Sequence, residues 1–108
     1  MDSFAKHFLV DGIDRMALYE IEDQNSLRVI VATTGYRGGD TGHGGRTRIA
    51  FDDLGGTDME CVVSQVDGNQ RIEIRLGGDA ELETFIKALR FAADALDSLA
   101  GPKPAHFE

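Results

Sequence analysis

The spacing of hydrophobic residues along this chain changes once, at the adjacent glycines Gly77 and Gly78. Before these glycines, apolar residues alternate with polar ones in short segments, a period that is typical of β-strands. After them, apolar residues recur every three or four positions, which predicts one amphipathic helix of roughly twenty residues. Strands followed by a single long helix favour an α+β fold, in which an antiparallel sheet of about five strands carries one C-terminal helix across one face. We therefore expect a two-layer sandwich.

The predicted strands are separated by residues that form turns. Residues 67–69 tolerate the positive φ of a tight hairpin, and residues 23–26 carry short polar side chains that bond their own backbone. Residues 52–56 also separate two strands in this interpretation. The apolar residues 4–10 fit either an edge strand or a short helix. The predicted strands are residues 14–22, 27–34, 46–51, 58–66 and 70–76.

The helix is predicted to begin with Asp79 as its N-cap and to end at Gly101. Its apolar stripe is expected to face the sheet, so a charge at the central Leu89 is expected to unfold the domain. Phe91 lies off that stripe and is a candidate contact for a second copy of the chain. The stripe comprises Leu82, Phe85, Ile86, Leu89, Ala93, Leu96 and Leu99.

Two further patterns predict burial in the last two strands. Ile72 and Ile74 alternate with charged residues, so we expect one face of the last strand in the core and the other in water. Cys61 lies in the preceding strand and is expected to be a small buried hydrophobe. As the single cysteine of the chain, it cannot form an internal disulfide.

The chain has 108 residues, which is the size of one compact domain. We place this domain at residues 1–101 and a flexible tail at residues 102–108. A single helix covers only part of a five-stranded sheet, and a second copy would cover the rest most easily. The sequence therefore predicts a homo-oligomer.

Acidic side chains outnumber basic ones by 19 to 11, which gives a net charge of -8. This charge disfavours non-specific binding to nucleic acid or to an anionic membrane surface. No apolar run approaches the roughly 20 residues of a membrane-spanning helix, and the N-terminus lacks the layout of a signal peptide. We therefore expect a cytoplasmic protein.

Residues 35–45, which we call the glycine-rich segment, contain six of the thirteen glycines of the chain. A connection between adjacent strands usually needs only about 2 to 5 residues. Glycines are costly to order, but they let the backbone approach a ligand and let consecutive N–H groups point into one concavity. The alternative is a flexible loop that binds nothing. The polar residues among the glycines favour a binding site.

These polar residues are the types that bind nucleotides. Tyr36 could stack on a base, the arginines could bind phosphate oxygens, and Asp40 could accept a hydrogen bond from a ribose hydroxyl or an exocyclic amine. Residues 35–48 hold three arginines and one aspartate, so this segment is cationic within an acidic protein. The candidate ligand-binding residues are Tyr36, Arg37, Gly38, Gly39, Asp40, Thr41, His43, Gly44, Gly45, Arg46 and Arg48.

A strand, not a helix, follows Gly45, so the segment is neither a P-loop nor a dinucleotide-binding fingerprint. The sequence predicts a non-enzymatic protein that sequesters a nucleotide or another phosphorylated small molecule, with no cofactor and no bound metal. In size, acidity and its glycine-rich segment, the chain is similar, in general character only, to small phage and mobile-element proteins that capture signalling nucleotides or block host enzymes.

Two other functions stay open at this point. A cluster of carboxylates could bind a basic surface of a nuclease or a DNA-binding complex, as an acidic inhibitor or immunity-type protein does. Asp40 and His43 could instead serve as a base and its orienting partner in a hydrolase. They could also be metal ligands, although no second histidine or cysteine lies nearby in the sequence, since His7 and His106 are near the chain ends. The carboxylate cluster comprises Asp52, Asp53, Asp58 and Glu60.

Overall fold

The computed structural model describes residue 13 and residues 15–37 and 45–102. In that part of the chain, five antiparallel strands precede one helix, which confirms the predicted α+β fold. The predicted segment 4–10 and all but the first residue of the predicted tail lie outside the described residues. No described helix is long and apolar enough to cross a membrane. The elements are β1 (Arg15–Glu22), β2 (Ser26–Thr33), β3 (Thr47–Gly55), β4 (Met59–Val66), β5 (Asn69–Leu76) and α1 (Asp79–Ala100).

The strands divide into two groups. β1, β2 and β3 form one sheet with β2 in the middle, whereas β4 and β5 pair only with each other. The turns between β1 and β2 and between β4 and β5 fall where the sequence predicts them. Asp67 and Gly68 adopt φ values of 54° and 81°, the left-handed conformation that tight hairpins require.

The main core lies between β2 and α1. Leu27, Val29 and Val31 occupy alternate positions of β2, so they share the face that α1 covers, and all three are fully buried. The helix contributes Ala88 and Ala92 to the same cluster, and these small side chains let its backbone lie close to the sheet. The helix therefore covers one face of the three-stranded sheet, as the periodicity predicts.

The other face of β2 is also occupied. Ile30 and Ala32 are fully buried there and form a second apolar cluster with Ile13. Further along the same face, Arg28 lies between a carboxylate on each neighbouring strand and donates to Asp52 at 3.0 Å and to Glu20 at 3.4 Å. The hydrogen bond that Arg28 donates to Asp52 is the main cause that raises the pKa of Arg28 above its usual value. Because β2 is buried on both faces, it occupies the central position of the sheet, between β1 and β3.

β3 is longer than the sequence predicts. Residues 52–56 were expected to separate two strands, but β3 continues to Gly55 because its pairing with β2 continues past a bulge at Ser26 and Leu27. The Asp53 carboxylate then closes the turn, since its Oδ1 accepts from the backbone N–H of Gly55 at 2.9 Å and of Thr57 at 3.3 Å. The local turn composition was therefore misleading.

A buried polar network joins three separate parts of the chain. Asn25, in the turn after β1, donates from Nδ2 to the hydroxyl of Thr57 and accepts at Oδ1 from the hydroxyl of Thr84 in α1, both at 3.0 Å. The Thr57 hydroxyl donates onward to the carbonyl of Ser26 at 3.0 Å. Because all three side chains are buried, each hydrogen bond satisfies a group that water cannot reach.

The start of α1 differs from the prediction. Gly78, not Asp79, is the N-cap residue, and no side chain caps the helix there. Instead the Glu81 carboxylate reaches out of the first turn and accepts from the backbone N–H of Asp58 at 3.1 Å. Two acidic residues still occupy the first turn, where the helix dipole favours negative charge.

β4 and β5 form a hairpin that we call the arm (residues 59–76). Only its base, at Met59 and Leu76, packs against the main core. Ile72 and Ile74 are 69% and 36% exposed and Cys61 is also exposed, so the predicted burial of these three residues is wrong. The alternation correctly separates an apolar face from a polar one, but nothing in the described chain covers the apolar face.

The apolar side of α1 is wider than the part that the sheet covers. Leu82, Ile86 and Leu89 form a stripe beside the core-facing residues, and they are 56%, 41% and 52% exposed. The prediction that Leu89 faces the sheet is therefore wrong. Phe91, a candidate contact for a second copy, is half-buried and packs on Tyr19 of β1, with ring centroids 5.1 Å apart; its contact with a second copy stays a prediction.

The exposed apolar residues of the arm and of the helix stripe amount together to about three fully exposed aliphatic side chains. Each such side chain contributes roughly 1.5–3 kcal/mol when it is removed from water. A partner that covered them all would gain about 5–10 kcal/mol from these contacts.

Neighbouring helix positions provide a test of the core. Ala88→Asp places an unpaired charge at a fully buried site, which costs several kcal/mol against a typical stability of roughly 5–15 kcal/mol, so the domain should unfold. Leu89→Asp places the same charge at an exposed site and should keep the native far-UV circular dichroism spectrum. Equal loss of helical signal in both variants would contradict this packing.

The polar network predicts the effect of a nearly isosteric change. Thr84→Val removes the hydroxyl that Asn25 Oδ1 accepts from, and the buried oxygen is left unsatisfied at a cost of about 1–3 kcal/mol. Urea denaturation should show this loss in the free energy of unfolding. Ser98→Ala, on the exposed side of the same helix, is the control and should change it by less than about 0.5 kcal/mol. A Thr84→Val variant as stable as the control would show that the network contributes nothing.

Candidate functional site

A groove of about 540 Å³ lies between the two ends of the glycine-rich segment and the last turns of α1. One wall comes from the end of β2 and the residues after it, and the opposite wall comes from the helix. The floor includes Thr33 and Thr47, which face each other across β2 and β3. The lining residues are Thr33, Gly35, Tyr36, Arg37, Gly45, Thr47, Ala93, Leu96, Asp97 and Ala100.

Hydrogen bonds bring the two ends of the glycine-rich segment together. The hydroxyls of Thr33 and Thr47 bond each other at 2.9 Å, and the backbone N–H of Thr34 donates to the carbonyl of Arg46 at 3.0 Å. The Thr34 hydroxyl accepts from the N–H of Arg46 at 3.1 Å and donates to the carbonyl of Gly35 at 3.0 Å. The chain therefore leaves and re-enters the sheet at neighbouring points beside the groove.

Gly35 occupies a position that only glycine fits. Its φ is +77°, and a Cβ there would collide with the Arg15 guanidinium and lie 3.0 Å from the carbonyl oxygen of Ala100. A side chain would therefore be strained by the backbone angle and would displace the Arg15 guanidinium from its position beside the helix end. This close approach brings the wall formed by the residues after β2 into contact with the end of α1.

Arg15 supplies the positive charge at that helix end. Its Nη1 donates to the carbonyl of Leu99 at 2.7 Å and lies 3.5 Å from that of Ala100, while the last turn of α1 contains no basic residue of its own. A cation at this position offsets the partial negative charge of the helix C-terminus. The sequence analysis missed Arg15, although it shares the alternation of Ala17 and Tyr19 that faces α1.

The groove carries charges of both signs. Arg37 lies on the side of the glycine-rich segment and is exposed, whereas Asp97 lies on the helix side together with the carbonyl oxygens of the last turn. An anionic group is therefore favoured at the Arg37 side, and a hydrogen-bond donor at the Asp97 side. Between them, Ala93 and Leu96 offer an apolar surface.

The structure brings some of the sequence-predicted site residues together. Tyr36, Arg37 and Gly45 line the groove, whereas Arg46 and Arg48 do not. Arg48 pairs with Ala32, whose side chain lies on the face opposite to α1. The remaining predicted residues lie outside the described part of the chain, and their role stays a prediction. They are Gly38, Gly39, Asp40, Thr41, His43 and Gly44.

Three members of the carboxylate cluster already have partners within the chain. Asp52 bonds Arg28, Asp53 accepts from backbone N–H groups, and Glu60 lies 3.7 Å from Arg75. Surface ion pairs are weak, so these contacts do not prevent a basic partner from competing. Each of these three carboxylates therefore has an intramolecular role that requires no second protein.

Comparison of the chain with protein-family models, curated proteins and solved structures finds no match. Among the described residues, no group of three or more His, Cys, Asp or Glu side chains is placed to hold a metal ion. The function is therefore inferred from the geometry of the groove.

Two glycines with similar backbone angles test the close approach at Gly35. Gly68→Ala, at φ +81° with open space around it, should lose only the roughly 1–2 kcal/mol that a left-handed alanine costs. Gly35→Ala adds the collision with Arg15 and should cost at least about 1 kcal/mol more. Chemical denaturation compares the two. Equal losses would show that the helix end does not depend on this contact.

Proposed function

We propose that this chain binds a nucleotide, or another phosphorylated small molecule of similar size, in the groove and sequesters it. One observation carries the proposal. Tyr36 and Arg37 at one end of the glycine-rich segment and Gly45 at the other, all selected from the sequence, lie in one groove of about 540 Å³. That volume is within the range of about 300–1,000 Å³ that small-molecule sites occupy.

The charges of the groove orient such a ligand. Phosphate oxygens belong at the Arg37 side, because the Asp97 carboxylate repels them at the other. The base then lies between the two walls, where Tyr36 provides an aromatic surface on the side of the glycine-rich segment and Leu96 an apolar one on the helix side. The Asp97 carboxylate accepts from an exocyclic amine or a ribose hydroxyl, the role that the sequence analysis gave to Asp40.

Sequestration is proposed instead of catalysis because the described part of the groove pairs no nucleophile with a general base. The hydroxyls of Thr33 and Thr47 bond each other at 2.9 Å. An enzyme that uses Asp40 and His43 would turn the ligand over, so the state of the ligand after incubation separates the two functions.

A cytoplasmic protein that captures a signalling nucleotide for a phage or mobile element fits this proposal. An acidic inhibitor of a basic protein is the alternative.

The proposal predicts how single substitutions change affinity. Isothermal titration of wild-type protein with mono-, di- and cyclic nucleotides identifies a ligand that binds. Arg37→Ala then removes charge-assisted hydrogen bonds of roughly 1.5–3 kcal/mol and should weaken binding of that ligand ten- to a hundredfold. Arg48→Ala is the matched control, because it removes the same charge on the opposite face of the sheet and should leave affinity within about twofold.

Two outcomes would contradict this site. If no phosphorylated compound binds, the groove is not a nucleotide site, and the acidic-inhibitor function takes its place. If Arg37→Ala and Arg48→Ala weaken binding equally, the arginines act through net charge and not through a contact in the groove. Substituting Asp52 and Asp53 by asparagine should leave nucleotide affinity unchanged and should weaken only binding to a basic protein.

A further inference from the structure

The two faces of the arm differ in charge. The register pairs Cys61 with Ile74 and Val63 with Ile72, so these four residues share the face whose base packs on the core. None of the charged residues of β4 and β5 lies on that face. They lie on the other, where Arg75 donates to Glu73 at 3.1 Å and lowers the pKa of that carboxyl.

The arm is poorly stabilised by the described chain alone. A two-stranded hairpin is marginally stable in water unless a third strand or a helix packs on it. Val63 and Ile72, in the outer half of the arm, are 67% and 69% exposed. An apolar face of this kind requires an apolar partner, since a charged one would lose its hydration without gaining a counter-charge.

We infer that a second copy of this chain covers the arm, and that the arm of each protomer lies on the helix stripe of the other. The helix stripe is Leu82, Ile86 and Leu89. It is a second uncharged apolar surface on the same chain, and it begins three residues after the start of α1.

The two surfaces are of similar extent. From Leu82 to Leu89 a helix rises about 10 Å, while the exposed face of the arm extends about 7 Å along β4, from Cys61 to Val63, and about 5 Å across to β5. Each is bordered by charged residues and contains none, as is typical of the centre of a protein interface. The two surfaces can therefore cover each other.

A two-fold axis makes this contact occur twice. The arm of the first protomer meets the helix of the second, and the arm of the second meets the helix of the first, so the assembly closes as a dimer. Closure doubles the apolar surface removed from water, which brings the gain into the range that offsets the entropy lost on association. The groove lies at the far end of α1, so dimerisation does not depend on the proposed ligand.

The native cysteine reports whether the arm is covered. Sedimentation velocity of the wild-type chain should show dimers at micromolar concentration, and alkylation of the Cys61 thiol by a maleimide should slow at least tenfold as protein concentration rises through the dimerisation range. A strict monomer, or an alkylation rate that is independent of concentration, would overturn the inference.

Neighbouring residues on opposite faces of β5 give the matched variants. Ile72→Asp alters the apolar face and Leu89→Asp the helix stripe, and each should produce a folded monomer with rapid Cys61 alkylation. Arg71→Asp, one residue away on the polar face, should remain dimeric. A dimer that tolerates both Ile72→Asp and Leu89→Asp uses another surface, which would disprove this one.

Oxidative cross-linking tests the arrangement of the two surfaces. Single variants Leu82→Cys, Ile86→Cys and Leu89→Cys each add one thiol to the helix stripe, and at least one should form an intermolecular disulfide with Cys61 of the other copy. The wild-type chain, with Cys61 alone, should not cross-link. Disulfide-linked wild-type dimers would show that the arms pack on each other, and the arm-on-helix arrangement would be wrong.

Discussion

The contact between β2 and α1 determines where every other feature of the molecule lies. β2 is buried on both faces, and Leu27, Val29 and Val31 leave room on one of them for a helix whose own contact residues are the small Ala88 and Ala92. Because α1 is fixed near its middle by these alanines, its two ends must extend toward opposite ends of the sheet. Its first turn therefore reaches the base of the arm, and its last turn reaches Gly35. The candidate groove and the arm are thus separated by the length of one helix.

The local features of the fold could be predicted from the sequence because they depend on neighbouring residues. Residues 67–69 tolerate the positive φ of a tight hairpin, which Asp67 and Gly68 adopt, and the alternation in β1 fixes which of its side chains share a face. Burial could not be predicted in the same way. Alternation at Ile72 and helical spacing at Leu89 show that each element has an apolar side, but whether that side meets the core depends on the area available on the sheet. The three-stranded sheet is too narrow to cover both.

In the candidate site, too, residues set by local sequence could be predicted and residues placed by tertiary packing could not. Tyr36 and Gly45 could be selected from composition, since both ends of one segment return to neighbouring strands. Asp97 could not, because it enters the groove only through the packing of α1 on the sheet. The position of Arg48 was predictable in principle. Phe51 belongs to the core under α1, and a period of two places position 49 on that same face and Arg48 on the other.

Under the proposed function, the charge of the chain bears on which anions reach the groove. The net charge of -8 repels a long polyanion over its whole contact length, and this repulsion grows with the number of phosphates. A small ligand presents only a few charges and meets Arg37 within hydrogen-bond distance, where attraction is short-ranged and strong. At physiological salt, charges more than about 8 Å apart are largely screened, so the distant carboxylates count for less than the nearby guanidinium. Under this proposal, the groove favours a nucleotide while the net charge of the chain disfavours nucleic acid.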